Sequence, residues 1–202
     1  MVAEHRDLDG ELLTPEIAAV ELLNVLRPTV AVSVYMTFVA HALQAHPQWR
    51  SRLMTAEEAE EERFVEEVRR WYPFFPVVAA VVREDFEWRG HRFPAGTRTL
   101  LDLYGTNHDP RTWERPEEFD PDRFVRKCPH SYEFIPQGGG LRARHHRCPG
   151  EDITTRLMRV AVDVLVRRIA YEAAEANLMI DFKRLPALPG GGFRIRRVRP
   201  LR

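Results

Sequence analysis

The stretch Phe134-Ile-Pro-Gln-Gly-Gly-Gly-Leu-Arg-Ala-Arg-His-His-Arg-Cys-Pro-Gly-Glu151 constrains this chain more than any other: a glycine-rich loop that ends on a cysteine. Directly after it, Ile153, Leu157, Val160, Ala161, Val164 and Leu165 recur at three- and four-residue spacing, which predicts a helix with one apolar face. Cys148 is therefore delivered to the start of a helix. Unpaired N–H groups there, together with the guanidinium groups of Arg144 and Arg147, favour the thiolate, which is the metal-binding form of cysteine. Gly138, Gly139 and Gly140 let the backbone pass close to a flat ligand without a side-chain clash.

With 202 residues, 44% hydrophobic side chains and a formal net charge of zero, the chain has the makings of one domain with a real core, and nothing in its totals points to nucleic acid. The polar start, Met1-Val-Ala-Glu-His-Arg-Asp, is unlike a signal peptide, and Asn24, Arg27 and Pro28 break the apolar stretch from Val20 to Leu43, so no membrane span is expected. Without a secretory signal a reducing cytoplasm is the expected setting, with Cys128 and Cys148 both free thiols. The acidic run Glu57–Glu62 reads as a solvated helix face.

Pro15, with Thr14 as its cap, opens a helix that runs to about Ala45, where His46-Pro47 stops it. Thr55 and Glu58 have capping-box spacing and predict a second helix through Phe64, Val68 and Trp71. The period then changes. Val77–Val82, Phe86–Trp88 and Thr97–Leu103 read as strands of one small antiparallel sheet, with turns at Arg89-Gly90-His91 and Pro94-Ala95-Gly96. Thr106 to Lys127 is irregular and punctuated by prolines, as functional or covering segments often are. A final hairpin of Leu178–Phe182 and Phe193–Val198 carries Arg194, Arg196, Arg197, Arg199 and Arg202, a basic edge that discourages strand-to-strand aggregation.

These stretches resemble one family. Phe134-x-Pro-x-Gly138 leading to His146-Arg-Cys148-Pro-Gly150 resembles the haem-ligand loop of the cytochromes P-450. Glu67-Val-Arg-Arg70 resembles their Glu-x-x-Arg helix, and Phe119-Asp-Pro-Asp-Arg123-Phe124 the meander whose arginine joins that pair. Leu26-Arg27-Pro28-Thr29, Leu101 to Pro110 and the Gly138–Gly140 insertion are similar to the bacterial fatty-acid peroxygenase branch, which uses hydrogen peroxide in place of an electron-transfer partner. The resemblance implies a mainly α fold with a small antiparallel β part, with residues 1–202 forming a single partial domain that corresponds to the C-terminal half of the fold. It implies haem b (iron protoporphyrin IX) with Cys148 as axial ligand to iron, His146 on a propionate, and Gly138, Gly139 and Gly140 beside the cofactor. Glu67, Arg70 and Arg123 would form a structural triad, while Arg27 and Pro28 would lie over the haem and hold a long-chain fatty-acid carboxylate for hydroxylation at the α or β carbon, with no redox partner required.

Other readings of the same residues stay open. Cys148 alone reads as a buried structural thiol, and Cys128, His130, His145, His146 and Cys148 together offer zinc-type ligands, although without paired spacing. Glu67 and Arg70 fit an exposed ion pair, His146 a surface histidine, and Arg27 an arginine on a wet helix face. If the face carrying Leu23, Val30, Ala31 and Val34 is buried, however, Arg27 needs an anion, and no acidic residue lies at helical spacing to provide one. The centre of this helix also lacks an acid to deliver protons, so the substrate carboxylate would have to serve. A different class of reading is a truncated, non-catalytic remnant that needs a missing N-terminal half.

Overall fold

The computed structural model describes residues 4–174 and 178–201. Three helices make the core. Helix α1 spans Pro15–Ala45, and Thr14 caps it by accepting the Ile17 N–H at 3.4 Å. A short α2, Pro47–Leu53, was not expected from sequence; it starts on the same proline that ends α1. Helix α3 runs Glu58–Trp71, but Thr55 does not cap it: the Thr55 N–H turns back to Arg52 O at 3.3 Å, leaving extended Glu57 as the boundary residue with no side-chain cap. Glu61 in the acidic run is buried against Arg167 rather than solvated.

The β part divides further than expected. Strand β1 (Val77–Val81) pairs antiparallel with β4 (Arg98–Asp102), whereas β2 (Phe86–Trp88) pairs separately with β3 (His91–Phe93). The turn between the latter is only Arg89-Gly90, both at positive φ (51° and 77°), which suits the twist of a two-residue hairpin and frees His91 to begin a strand. Short α4 (Leu103–Asn107) and α5 (Arg123–Arg126) bracket the irregular passage.

Helix α6, Glu151–Asp163, passes into a π-helical turn at Val164–Arg168 and then into β5, Ile169–Ala173, a strand not expected from sequence. The expected final hairpin is also re-paired. Strand β6 (Ile180–Asp181) joins β7 (Leu188–Pro189), and β8 (Ile195–Pro200) returns to β5, where Glu172 binds Arg197 at 2.9 Å and Arg196 at 3.3 Å. Part of the basic edge is thus neutralised; Arg202 lies outside the described residues.

The core joins Tyr35, Phe38, Val39, Ala42 and Leu43 of α1 to Phe64, Val65 and Val68 of α3 and to Met158, Val162 and Val166 beyond the cysteine loop. Burial of α1 begins only at Val34; Ile17, Val20, Leu22, Leu23, Val25, Leu26 and Val30 are 45–69% exposed. Asn24, Arg27 and Pro28 do not interrupt α1, which by length and composition is apolar enough to cross a membrane, a property it shares with core helices of soluble folds.

Candidate functional site

The N-terminal end of α6 and the middle of α1 face each other across a cleft of about 1110 Å³. One wall is Asn24, Arg27, Pro28 and Ala31 of α1; the opposite wall is Cys148, Gly150, Ile153, Thr154 and Leu157. Phe74, Phe75, Leu185 and Pro186 close the side. Arg27 and Cys148, 121 positions apart in the chain, therefore share one space. Thr29 turns its hydroxyl back to Val25 O at 2.8 Å, one turn below, and so is not free to act in the cleft. Among the described residues the exposed Arg27 guanidinium has no hydrogen-bond or ion-pair partner, and the helix face that would demand an anion if buried is open at Leu23, Arg27 and Val30 and closes only at Val34.

The cysteine loop is shaped from within. The Cys148 N–H donates to Gln137 O at 2.9 Å, and Tyr35 OH of α1 donates to Pro136 O at 3.3 Å. Burial is the main cause that pushes the Tyr35 hydroxyl pKa strongly up, keeping it a neutral donor. None of Gly138, Gly139 and Gly140 lines the cleft. A side chain on Gly138 (φ +92°) would lie 1.9 Å from His146 O, one on Gly139 2.8 Å from Ile135 Cγ2, and one on Gly140 2.6 Å from His145 Nδ1. These glycines serve the loop's close approach to itself. His146 is exposed and off the cleft, and Arg147 pairs with Glu151 (Nε to Oε2, 2.6 Å). Cys128 and Cys148 are both free thiols, and no three zinc-type ligands assemble among the described residues.

Behind the loop, Glu67, Arg70 and Arg123 meet. The fully buried Glu67 carboxylate accepts two hydrogen bonds from Arg70 at 2.8 Å, one from Arg123 Nε at 3.2 Å and the Asp120 N–H at 2.8 Å. Arg70 also donates to the carbonyls of Asn107, Pro116 and Glu118, and Arg123 to those of Glu114, Arg115 and Glu118. The two guanidinium groups thereby satisfy the carbonyls of an irregular segment that has few ladder bonds of its own. Asn107 continues the linkage, its Oδ1 accepting the Ile135 N–H at 2.9 Å.

A second ionic group was missed from sequence: Arg69, Glu66 and Glu151. Its signal was present as a doubled register, because Glu66/Arg69 and Glu67/Arg70 are overlapping i,i+3 pairs. Burial alone would raise the Glu151 carboxyl, but hydrogen bonds from Arg147 and Arg69 outweigh it and hold the group below the ordinary glutamate range.

The cleft suits a large planar cofactor. Its volume lies at or above the roughly 300–1,000 Å³ of ordinary small-molecule pockets. Its walls are mostly apolar, and a single sulfur enters from a loop held on both sides. One soft ligand matches a metal whose other positions are filled by the cofactor itself.

The cytochrome P450 sequence profile matches residues 62–189. Over its whole length the chain is 26% identical to putative cytochrome P450 137 of Mycobacterium tuberculosis, 43% of which it covers, and 31% identical over 132 residues to cytochrome P450 71D180 of Origanum vulgare, covering 26%. Among solved structures, cytochrome P450SP alpha (CYP152B1) in complex with (R)-ibuprofen superimposes with a TM-score of 0.89 at 53% identity, over 98% of this chain and 48% of that one. Cytochrome P450EX alpha (CYP152N1) with myristic acid gives 0.86 at 46% identity, and OleT F79A with arachidonic acid 0.87 at 34%. They overlap 98% and 99% of this chain and 48% and 47% of theirs, so it spans about half the length of these structures or less of the curated relatives. On its ligand loop, its buried Glu67–Arg70–Arg123 group and this matched profile, the chain belongs to the cytochrome P450 family.

Proposed function

We propose that this chain carries the haem-thiolate and carboxylate-binding half of a peroxygenase that hydroxylates long-chain fatty acids at the α or β carbon with hydrogen peroxide. The observation that carries the reading is the shared cleft: an arginine without a partner among the described residues on one wall and the only cysteine of the loop on the other. Similar structures hold myristic and arachidonic acids, ligands with one carboxylate and a long apolar tail. Haem b bound by Cys148 would supply activation of peroxide and transfer of one oxygen atom to a C–H bond.

Arg27 would hold the substrate carboxylate by charge-assisted hydrogen bonds, which are about twice as strong as neutral ones. Pro28 removes the helix hydrogen bond to Asn24 O and opens α1 beside the clamp. With Thr29 occupied by Val25 O and no acid on this part of the wall, the carboxylate itself would take a proton from hydrogen peroxide and return it to the departing oxygen, which leaves as water. The balance is a C–H bond and hydrogen peroxide converted to C–OH and water, with no outside electron donor. The clamp sets which carbon lies nearest the reacting centre, and this favours positions next to the carboxylate.

Arg27→Ala tests the reading. The variant should bind haem as the wild type does and lose peroxide-driven hydroxylation of a long-chain acid by about 100-fold or more, consistent with loss of a positioning group. Added short-chain carboxylate should not restore it. Unchanged turnover in the variant would sink the assignment.

A second reading, a chain silent until another segment covers it, is favoured by the exposed apolar residues between Ile17 and Val30. Haem reconstitution of the 202-residue chain separates the two: a soluble coloured protein with peroxide turnover supports catalysis, and a colourless aggregate supports the silent remnant.

A further inference from the structure

Two ion pairs start one residue apart on α3, and the helix directs them about 100° apart. Glu67–Arg70 goes to the meander, while Glu66–Arg69 goes to the cysteine loop. The Arg69 side chain is 2% exposed; it donates to Glu66 at 2.6 Å, to Gln137 Oε1 at 3.1 Å and to Glu151. Glu151 also accepts from Arg147 at 2.6 and 3.1 Å and from Arg142 at 3.3 Å, and Arg142 continues to Asp152 at 2.7 Å. Three guanidinium groups (Arg69, Arg142, Arg147) thus meet three carboxylates (Glu66, Glu151, Asp152) around a loop whose Gln137 carbonyl holds the Cys148 N–H. The formal charges of these six groups cancel, so removing one leaves an uncompensated charge in the network that holds the cysteine loop.

We infer that Glu151 and Arg69 are positioning residues that set the charge felt by Cys148, and through it the electron donation of the thiolate to a bound haem iron. The inference rests on the haem-thiolate reading above. Groups surrounding a ligand tune a metal through hydrogen bonds and charge, and they do so most strongly where water is excluded. Reduction of a thiolate-bound iron adds one negative charge at the site. A neighbouring carboxylate opposes that addition and a neighbouring guanidinium favours it.

The signs follow, and they differ between the two partners. In haem-reconstituted protein Glu151→Gln should move the reduction potential up, and Arg69→Gln should move it down. Arg69→Lys, which keeps the charge, should stay near the wild-type value. Simple loosening of the loop would instead expose the cofactor in both variants and move both potentials the same way. Arg142→Gln, at the half-exposed end of the network, should fold readily and also move the potential down, which keeps the test available if a buried variant fails to accumulate. Opposite displacements support the inference; shifts of one sign, or none, overturn it. A wild-type protein that lacks the long-wavelength ferrous–carbon monoxide band of a thiolate ligand would remove the haem-thiolate reading itself, an outcome distinct from a wild type with that band and variants that fail the sign test.

Discussion

His108 is buried between Tyr104 and Trp71, its Nδ1 3.0 Å from Tyr104 O and its Nε2 without a protein partner. Burial first, and the nearby Arg70 guanidinium second, push its pKa down to about 4, with Arg123 acting the same way and Asp102 against it. The unfolded chain takes up this proton near pH 6.5 while the folded chain resists it until about pH 4. Folding stability should therefore be whole above pH 6.5 and fall as pH drops from there to about 4, by on the order of 3 kcal/mol from this group. Chemical denaturation of His108→Phe across that range should show a shallower pH slope; an unchanged slope would contradict the assignment. The sequence marked the stretch from Leu101 to Pro110 by resemblance but not the burial of this histidine, because Trp71, one of the rings beside it, lies 37 positions away.

At the scale of elements, α3 was the most readable part of the site, because an i,i+3 pair is local and needs no knowledge of the fold. The partners of that pair were another matter. Arg69 and Glu151 are 82 positions apart, and each looked like one more charge on a helix surface until both were found buried. Glu67→Ala should cost about 3–5 kcal/mol, since it strands Arg70 and Arg123 away from water, and thermal unfolding would show it; a loss under 1 kcal/mol would mean that water reaches the site.

The glycine loop gives a paired test. Gly138→Ala meets His146 O as well as the strain of φ +92°, whereas Gly192→Ala, at φ +69° with open space around it, has only the roughly 1–2 kcal/mol of left-handed strain. The first should abolish haem uptake and the second leave it intact, as a haem titration would read. Equal uptake by both would show that the close approach is dispensable. The sequence pointed to the glycines as making room for a flat ligand; the neighbour of Gly138 in this structure is the loop's own return past His146, which no spacing rule announces.

Over the whole molecule, the positions of the three long helices α1, α3 and α6 followed from periodicity and proline, while the short helices and the strand pairing did not. Ile169–Ala173 carries no strand alternation that sequence reading picked out, because its partner is a strand more than 20 residues further on. A two-residue β6 against β7 is too short to carry a pattern. The exposed apolar half of α1 is the other property of this scale. It predicts that the 202-residue chain binds a hydrophobic dye in its native state and self-associates as concentration rises, measured by light scattering; a monomer indifferent to the dye would show that this surface is covered.

Cys148 and Arg27 line the same cleft. The most direct measurement is the absorption spectrum of haem-reconstituted protein, reduced and exposed to carbon monoxide, for the wild type and Cys148→Ser. The account predicts the long-wavelength band of a thiolate-bound haem in the wild type and its loss in the variant, with Cys128 still present. Absence of the band in haem-loaded wild type, or its survival in Cys148→Ser, would contradict it.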